Sequence, residues 1–243
     1  MFTFEKASVA RHRVRARVAL CGPSGSGKTF TALQIAAGLG QRVAVLDTER
    51  GSAAMAADRF DFHVLQMEDA SPRATIKAIE AAEDAGFEVL IIDSLSHAWM
   101  GKGGALEMVD VAQRRFGGNT LAAWREVTPL HNAMMDAILR SRCHVIATLR
   151  TRTEVVLQDQ GGTAIPVKVG LEPLQCEGIE YEFDIVGELD HEHTLRVTKA
   201  RCALLDNAVI RTPGPVVGQA IKAWLEGTEP PELPIVPRAA TVH

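Results

Sequence analysis

The sequence has no pair of cysteines that reads as a staple. Cys21, Cys143, Cys176 and Cys202 are far apart and form no C-x-x-C motif. Cys21 and Cys143 sit inside apolar runs, where a thiol behaves as a small hydrophobe. The set fits a reducing, cytoplasmic setting. No run approaches the roughly 20 apolar residues of a membrane helix, so no membrane association is expected. The first twenty residues lack the apolar stretch of a secretory signal, because Lys6 and four arginines interrupt them. Excess positive charge is missing as well. With 26 Lys and Arg against 30 Asp and Glu, the net charge is −4. Any nucleic-acid contact must then come from a local basic patch. No internal repeat is visible. What is present is a chain of 243 residues, 47% hydrophobic and 23% charged. That is enough for one large α/β domain with a substantial core and no need of disulfides or structural metal.

Residues 1–13 read as a basic lead-in. Arg11, Arg13, Arg15 and Arg17 alternate, and on a strand they form one basic stripe. Val14 to Cys21 reads as a strand, Lys28 to about Leu39 as a helix, Arg42–Asp47 as a buried strand and Phe62–Met67 as another. Ser71-Pro72 opens a helix as N-cap and first-turn proline, running to about Ala85, and Glu88–Asp93 is a strongly apolar strand. Residues 97–120 are glycine-rich around a helix at Leu106–Arg115. Thr128-Pro129 lies within or near the start of a long helix ending near Arg142. His144–Leu149 is a further buried strand, and residues 151–178 read as a mobile loop or ragged hairpin. Glu182–Leu189 and Thr194–Lys199 form an antiparallel hairpin, and a last helix from Pro213 ends at Gly227. The proline-rich tail, 228–243, reads as disordered or as a short docking segment for a protein partner. Continuous apolar strands alternating with helices through residue 149 predict a mainly parallel sheet with helices on both faces, followed by a C-terminal antiparallel extension.

Gly22-Pro23-Ser24-Gly25-Ser26-Gly27-Lys28-Thr29 fits G-x-x-x-x-G-K-[ST] and falls between an apolar strand and a helix. The glycines let backbone N–H groups curl around a phosphate, and the helix turns its positive end on the same anion. The pattern predicts ATP as ligand, with Lys28 on the β- and γ-phosphates and the Thr29 hydroxyl on Mg²⁺. A second metal carboxylate should end an apolar strand, and Asp93, closing V-L-I-I-D, is the candidate. Ser94 stands where many such enzymes carry a catalytic glutamate. The base is therefore sought in Asp47-Thr48-Glu49, on the same rim of a parallel sheet. Glu49 is the candidate that activates water, Asp47 is the alternative, and a solvated Glu49 paired with Arg50 is the bland reading. Thr148 ends a further strand as candidate γ-phosphate sensor, followed by Arg150 and Arg152. His191 and His193 flank Glu192 in a turn and are not read as a metal site.

The run from the phosphate loop through V-A-V-L-D-T-E at 43–49, L-I-I-D-S at 90–94 and V-I-A-T-L-R at 145–150 resembles the RecA superfamily. More closely, V-I-A-T-L-R-T-R-T-E, G-I-E-Y-E-F-D-I-V-G and V-T-K-A-R-C are similar to phage-encoded RecA-like ATPases, the AAA-type ATP-binding proteins of phage recombination and replication. The likeness covers roughly residues 14–226 and implies a RecA-like P-loop NTPase domain over 14–227. It implies Lys28 and Thr29 on phosphate and Mg²⁺, Glu49 as base, Asp93 at the metal, and a K-x-R finger at Lys199 and Arg201. In related rings and filaments that pair reaches a neighbour's γ-phosphate, so a homo-oligomer is implied. RecA itself has an amide at the position of Thr148, which puts the coupling of nucleotide state to DNA in a different form here.

In RecA-like cores DNA contacts come from the loops after the strands ending near Asp93 and Leu149. Here those loops hold Lys102, Arg114 and Arg115, then Arg152 and Lys168, with few aromatics for stacking bases. The expected function is ATP hydrolysis dependent on single-stranded DNA, in phage-type recombination or replication, and in the host cytoplasm. The alternatives are a nucleotide-switched assembly ATPase that binds a protein partner without DNA, and a P-loop kinase acting on a small molecule.

Overall fold

The computed structural model describes residues 3–160 and 163–236, with the backbone alone for 153–160 and 163–171. In chain order it runs α1 (Ala7–Arg11), β1 (Arg17–Gly22), α2 (Lys28–Leu39), β2 (Val43–Asp47), β3 (His63–Gln66), α3 (Pro72–Asp84), β4 (Val89–Asp93) and α4 (Ser96–Met100). It continues with α5 (Ala105–Arg115), α6 (Thr120–Arg140), β5 (His144–Gln160), β6 (Thr163–Pro173), β7 (Ile185–Leu189), β8 (Thr194–Ala200), β9 (Val209–Arg211) and α7 (Pro215–Glu226).

One sheet runs β3-β2-β4-β5-β1-β7-β8-β9, with β6 paired to β5. The pairs from β3 across to β7 are parallel. The pairs β5–β6, β7–β8 and β8–β9 are antiparallel. The central strands are buried on both faces, which is why they read as unbroken apolar runs. Val18 and Leu20 of β1 face α2 and α7, packing with Leu33, Ile35 and Ile221. Ala19 and Cys21 face the other way, with Ile79 of α3 and Met134 and Ile138 of α6. All five parallel pairings bring strand carboxyl ends to one rim, and the loops there carry the candidate site.

Several expectations are met at the level of single caps. The Ser71 side chain accepts from the Ala74 N–H, with Pro72 in the first turn of α3. Gly227 ends α7 in the left-handed conformation at φ 69°. Asn119 caps α6, which starts nine residues before Pro129 and carries that proline inside it.

Other expectations are corrected. The arginine stripe does not form, because residues 7–11 are helical and β1 begins only at Arg17. Arg17 is buried, and its guanidinium donates to the carbonyls of Ala16, Leu139, Ser141 and Cys143, closing the end of α6. For the segment read as a mobile loop or ragged hairpin, the hairpin alternative holds: residues 151–160 and 163–173 pair as two long antiparallel strands, with a register shift between Glu154 and Val155. Of the tail, residues 228–236 are described and pack on the domain, and 237–243 lie outside the described residues. Leu233 joins the core under α2 and α7, and Ile235 bridges to Ile210.

Candidate nucleotide site

The phosphate loop leaves β1 at Gly22 and enters α2 at Lys28. Gly27 precedes the helix at φ 84°. A Cβ there would also stand 2.8 Å from Nδ1 of His193. Glycine is thus required by conformation, and any side chain there would also displace the His193 ring. Lys28 donates from Nζ to the Pro23 carbonyl at 2.8 Å. Burial holds its ammonium below the usual lysine value, opposed by the carboxylates of Glu49 and Asp93.

Asp93 ends β4 beside this loop and is 1% exposed. Thr29 donates from Oγ1 to Asp93 Oδ2 at 2.6 Å, and Thr148 donates to Oδ1 at 2.5 Å. Burial pushes the Asp93 carboxyl up, and the two hydroxyls partly reverse that. A buried carboxylate and a hydroxyl at a helix N-terminus are hard oxygen donors of the kind Mg²⁺ takes together with nucleotide phosphates. The cradle and the donors therefore fit MgATP. Thr148 itself is fully buried. It sits against the Asp93 carboxylate and does not project from the rim.

Glu49 lies just beyond β2, whose Asp47 is level with Asp93 in the register. Its N–H donates to Asp47 Oδ1 at 2.6 Å. Its carboxylate accepts from Arg150, Nε at 2.9 Å and a terminal nitrogen at 2.8 Å. The partner is Arg150 from β5, not the adjacent Arg50. These groups, with His97, Lys102, Gln66 and Met67, line a cleft of about 770 Å³. The phosphate loop, Asp93 and Glu49 are thus all on one rim, as parallel strand ends require.

Residues 15–209 match the family described as an AAA domain. The chain belongs to that family. No curated protein matches the sequence. Among solved structures it is similar to the crystal structure of the RadB recombinase, with 17% identity and a TM-score of 0.45 over 83% of this chain and 90% of that one. In this chain the AAA domain is a P-loop α/β fold, a mainly parallel sheet with the phosphate loop between its first strand and the following helix.

Of the remaining candidates, all but Lys102 lie away from the Glu49 cleft. Lys199 pairs with Val186, which is level with Ala19 of β1. Its Nζ donates to the carbonyls of Glu180 and Tyr181. Arg201 follows the end of β8, 3.5 Å from Asp184. Ala200 is level, through Ile185, with Val18, and Gly22 lies four residues farther along β1, about 13 Å of strand. The pair is therefore at the opposite end of the sheet from its own phosphate loop. Lys102 lines the cleft beside Glu49. Arg114 is exposed on α5, Arg115 pairs with Glu126, and Arg152 pairs with Glu172. The Lys168 side chain lies outside the described residues.

Two histidines lie at the site: His97, not singled out from the sequence, and His193, weighed there only as a metal ligand and set aside. His193, at the β7–β8 turn, places Nδ1 3.1 Å from the Ser26 carbonyl and so rests on the phosphate loop. His97, on α4, places Nδ1 2.6 Å from Thr48 Oγ1. His97 had a positional signal, four residues after Asp93 on the same rim. His193 had none, because its partner is 167 residues away. Among the described residues no helix is long and apolar enough to cross a membrane.

Proposed function

We propose that this AAA domain hydrolyses ATP as a RecA-type motor responding to single-stranded DNA, in recombination or replication of the phage type. The observation that carries the hydrolytic reading is the Thr29–Asp93 contact at 2.6 Å, on the rim that also holds Glu49. Gly22 to Lys28 would receive the phosphates, and Thr29 and Asp93 would hold Mg²⁺, which supplies charge neutralisation on the transferring phosphoryl group. Glu49, oriented by Arg150 and by the Asp47 carboxylate, would accept a proton from the attacking water. Thr148 would influence the site through Asp93, by holding that carboxylate's second oxygen. Lys199 and Arg201 are too far along the sheet to serve their own phosphate loop. This supports action on a neighbour, where an added cation stabilises the phosphoryl-transfer transition state.

The DNA-dependent part is tested by turnover. Single-stranded DNA should raise ATP hydrolysis several-fold at low salt, and the stimulation should fade as salt rises. Turnover that stays flat across DNA concentrations at low salt sinks it. One observation favours a second reading, an assembly ATPase that grips a protein partner instead. Arg115 and Arg152, two of the cations expected on DNA, already pair with carboxylates. ATP-dependent capture of a protein partner, without retention on DNA, would select that reading. The kinase alternative needs a free arginine lid, and Arg150 is committed to Glu49.

A further inference from the structure

We propose that His97 is a positioning residue that holds the turn carrying Glu49, acting through Thr48. The idea rests on Glu49 as the base. Thr48 directly precedes Glu49, and its hydroxyl is crowded with partners. Its Oγ1 accepts from the Ser94 N–H at 2.8 Å, and its own N–H donates to the Asp93 carbonyl at 2.8 Å. The hydroxyl then has one proton to give. The Asp93 carbonyl is 3.1 Å away, the Ser94 carbonyl 3.2 Å and His97 Nδ1 2.6 Å. The imidazole is the nearest acceptor. An imidazole with its proton on Nε2 can take the hydroxyl proton at Nδ1, whereas a doubly protonated ring cannot.

The surroundings keep the ring neutral. Burial and then the Arg150 cation hold His97 below its usual value, against the opposing carboxylates of Glu49, Asp93 and Asp47. Lys102 lines the same cleft and adds a further positive charge. The turn is therefore pinned on two sides, by the end of β4 and by α4. Among the described hydrogen bonds, the His97–Thr48 contact is what joins α4 to the 47–49 turn. Loss of it would free the Thr48 hydroxyl to swing to the Asp93 or Ser94 carbonyl and would release one side of the turn. A general base displaced by about 1 Å can lose on the order of 100-fold in rate.

The two amide substitutions separate this role from a general one. Asparagine carries its amide at the level of Nδ1 and can still accept from Thr48. Glutamine carries it at the level of Nε2 and leaves Thr48 without its acceptor on α4. We expect His97→Gln to lower kcat about tenfold or more, with KM for ATP and nucleotide affinity within about twofold, and His97→Asn to recover to within about threefold of the parent. Thr48→Ala tests the link without touching the ring. It should reproduce the kcat loss, and the double variant with His97→Gln should be no worse than the poorer single one. Equal rates for the asparagine and glutamine variants overturn the proposal, as do effects that multiply in the double variant or loss of nucleotide binding in His97→Gln. Glu49→Gln separates the two levels. If it is inactive while the His97 variants run at full rate, the positioning role fails and Glu49 stands as base. If Glu49→Gln turns over normally, both fail.

Discussion

Two hydroxyls, from Thr29 and Thr148, hold the Asp93 carboxylate in a pocket that disfavours its charge. The sequence showed that Asp93 and Thr148 end neighbouring apolar strands and so share a rim. It did not show which of them faces outward, because that depends on the register between β4 and β5 and on the turn after Asp93. Glu49 was legible in the same way, by its place after β2, while Arg150 as its partner depends on a contact 101 residues away in sequence. At the far end of β5, His144 offers a test of burial that is independent of nucleotide. Its Nδ1 accepts the Ala16 N–H at 3.0 Å, and burial, reinforced by Arg15 and Arg17, lowers its value from 6.5 to about 4. On acidification the unfolded chain takes this proton first. The stabilisation is complete above about 6.5 and is lost as pH falls toward 4, by roughly 3 kcal/mol at most. Denaturant unfolding between pH 7.5 and 4.5 should show the slope. His144→Asn, which keeps an acceptor at the Nδ1 level but does not titrate, should flatten this part of it.

Elements with strong local signals were legible almost to the residue. Helix α2 runs Lys28–Leu39 because the phosphate loop fixes its start and Gly40 its end. Helix α3 has its serine cap and early proline. Strand β5 was foreseen only to Leu149, yet it continues to Gln160, where its second half leaves the parallel sheet and pairs with β6. Pro129 marked a helix but not its beginning, which Asn119 sets with a side-chain bond to the Ala122 N–H. One contact between elements has no sequence signature of its own. Helices α2 and α7 meet at Gly38 and Gly218, where a Cβ on Gly38 would stand 2.0 Å from the Pro215 carbonyl and 2.8 Å from the Gln219 nitrogen. Both obstacles are backbone and cannot rotate away. Gly38→Ala should therefore cost about 2 kcal/mol or more by forcing α7 outward. A chemical-denaturation midpoint close to the parent's would show that the helices separate more easily than this packing implies.

For the whole molecule, the parallel sense of the sheet and the two covering layers followed from alternation and apolar runs, and the strand order and the tail's docking on its own core did not. Leu233 and Ile235 sit in a proline-rich stretch whose composition speaks for disorder, and what orders them is the exposed side of β9 and the core beneath α7. The distance between Lys199 and its own phosphate loop is why the proposed finger would need a neighbouring subunit. If the finger acts on a neighbour, mixing Arg201→Ala subunits with Lys28→Ala subunits should restore a fraction of the ATPase activity that each lacks alone. No recovery at any ratio, with co-assembly verified by size, would place the finger outside the reaction. The glycine contact between α2 and α7 bears on how such an assembly would feel its nucleotide. Where backbone lies on backbone there is no side-chain cushion to absorb a displacement. The helix that begins at the phosphate loop and the helix that leads into the tail are therefore held backbone against backbone, so that a displacement of one would have to carry the other with it.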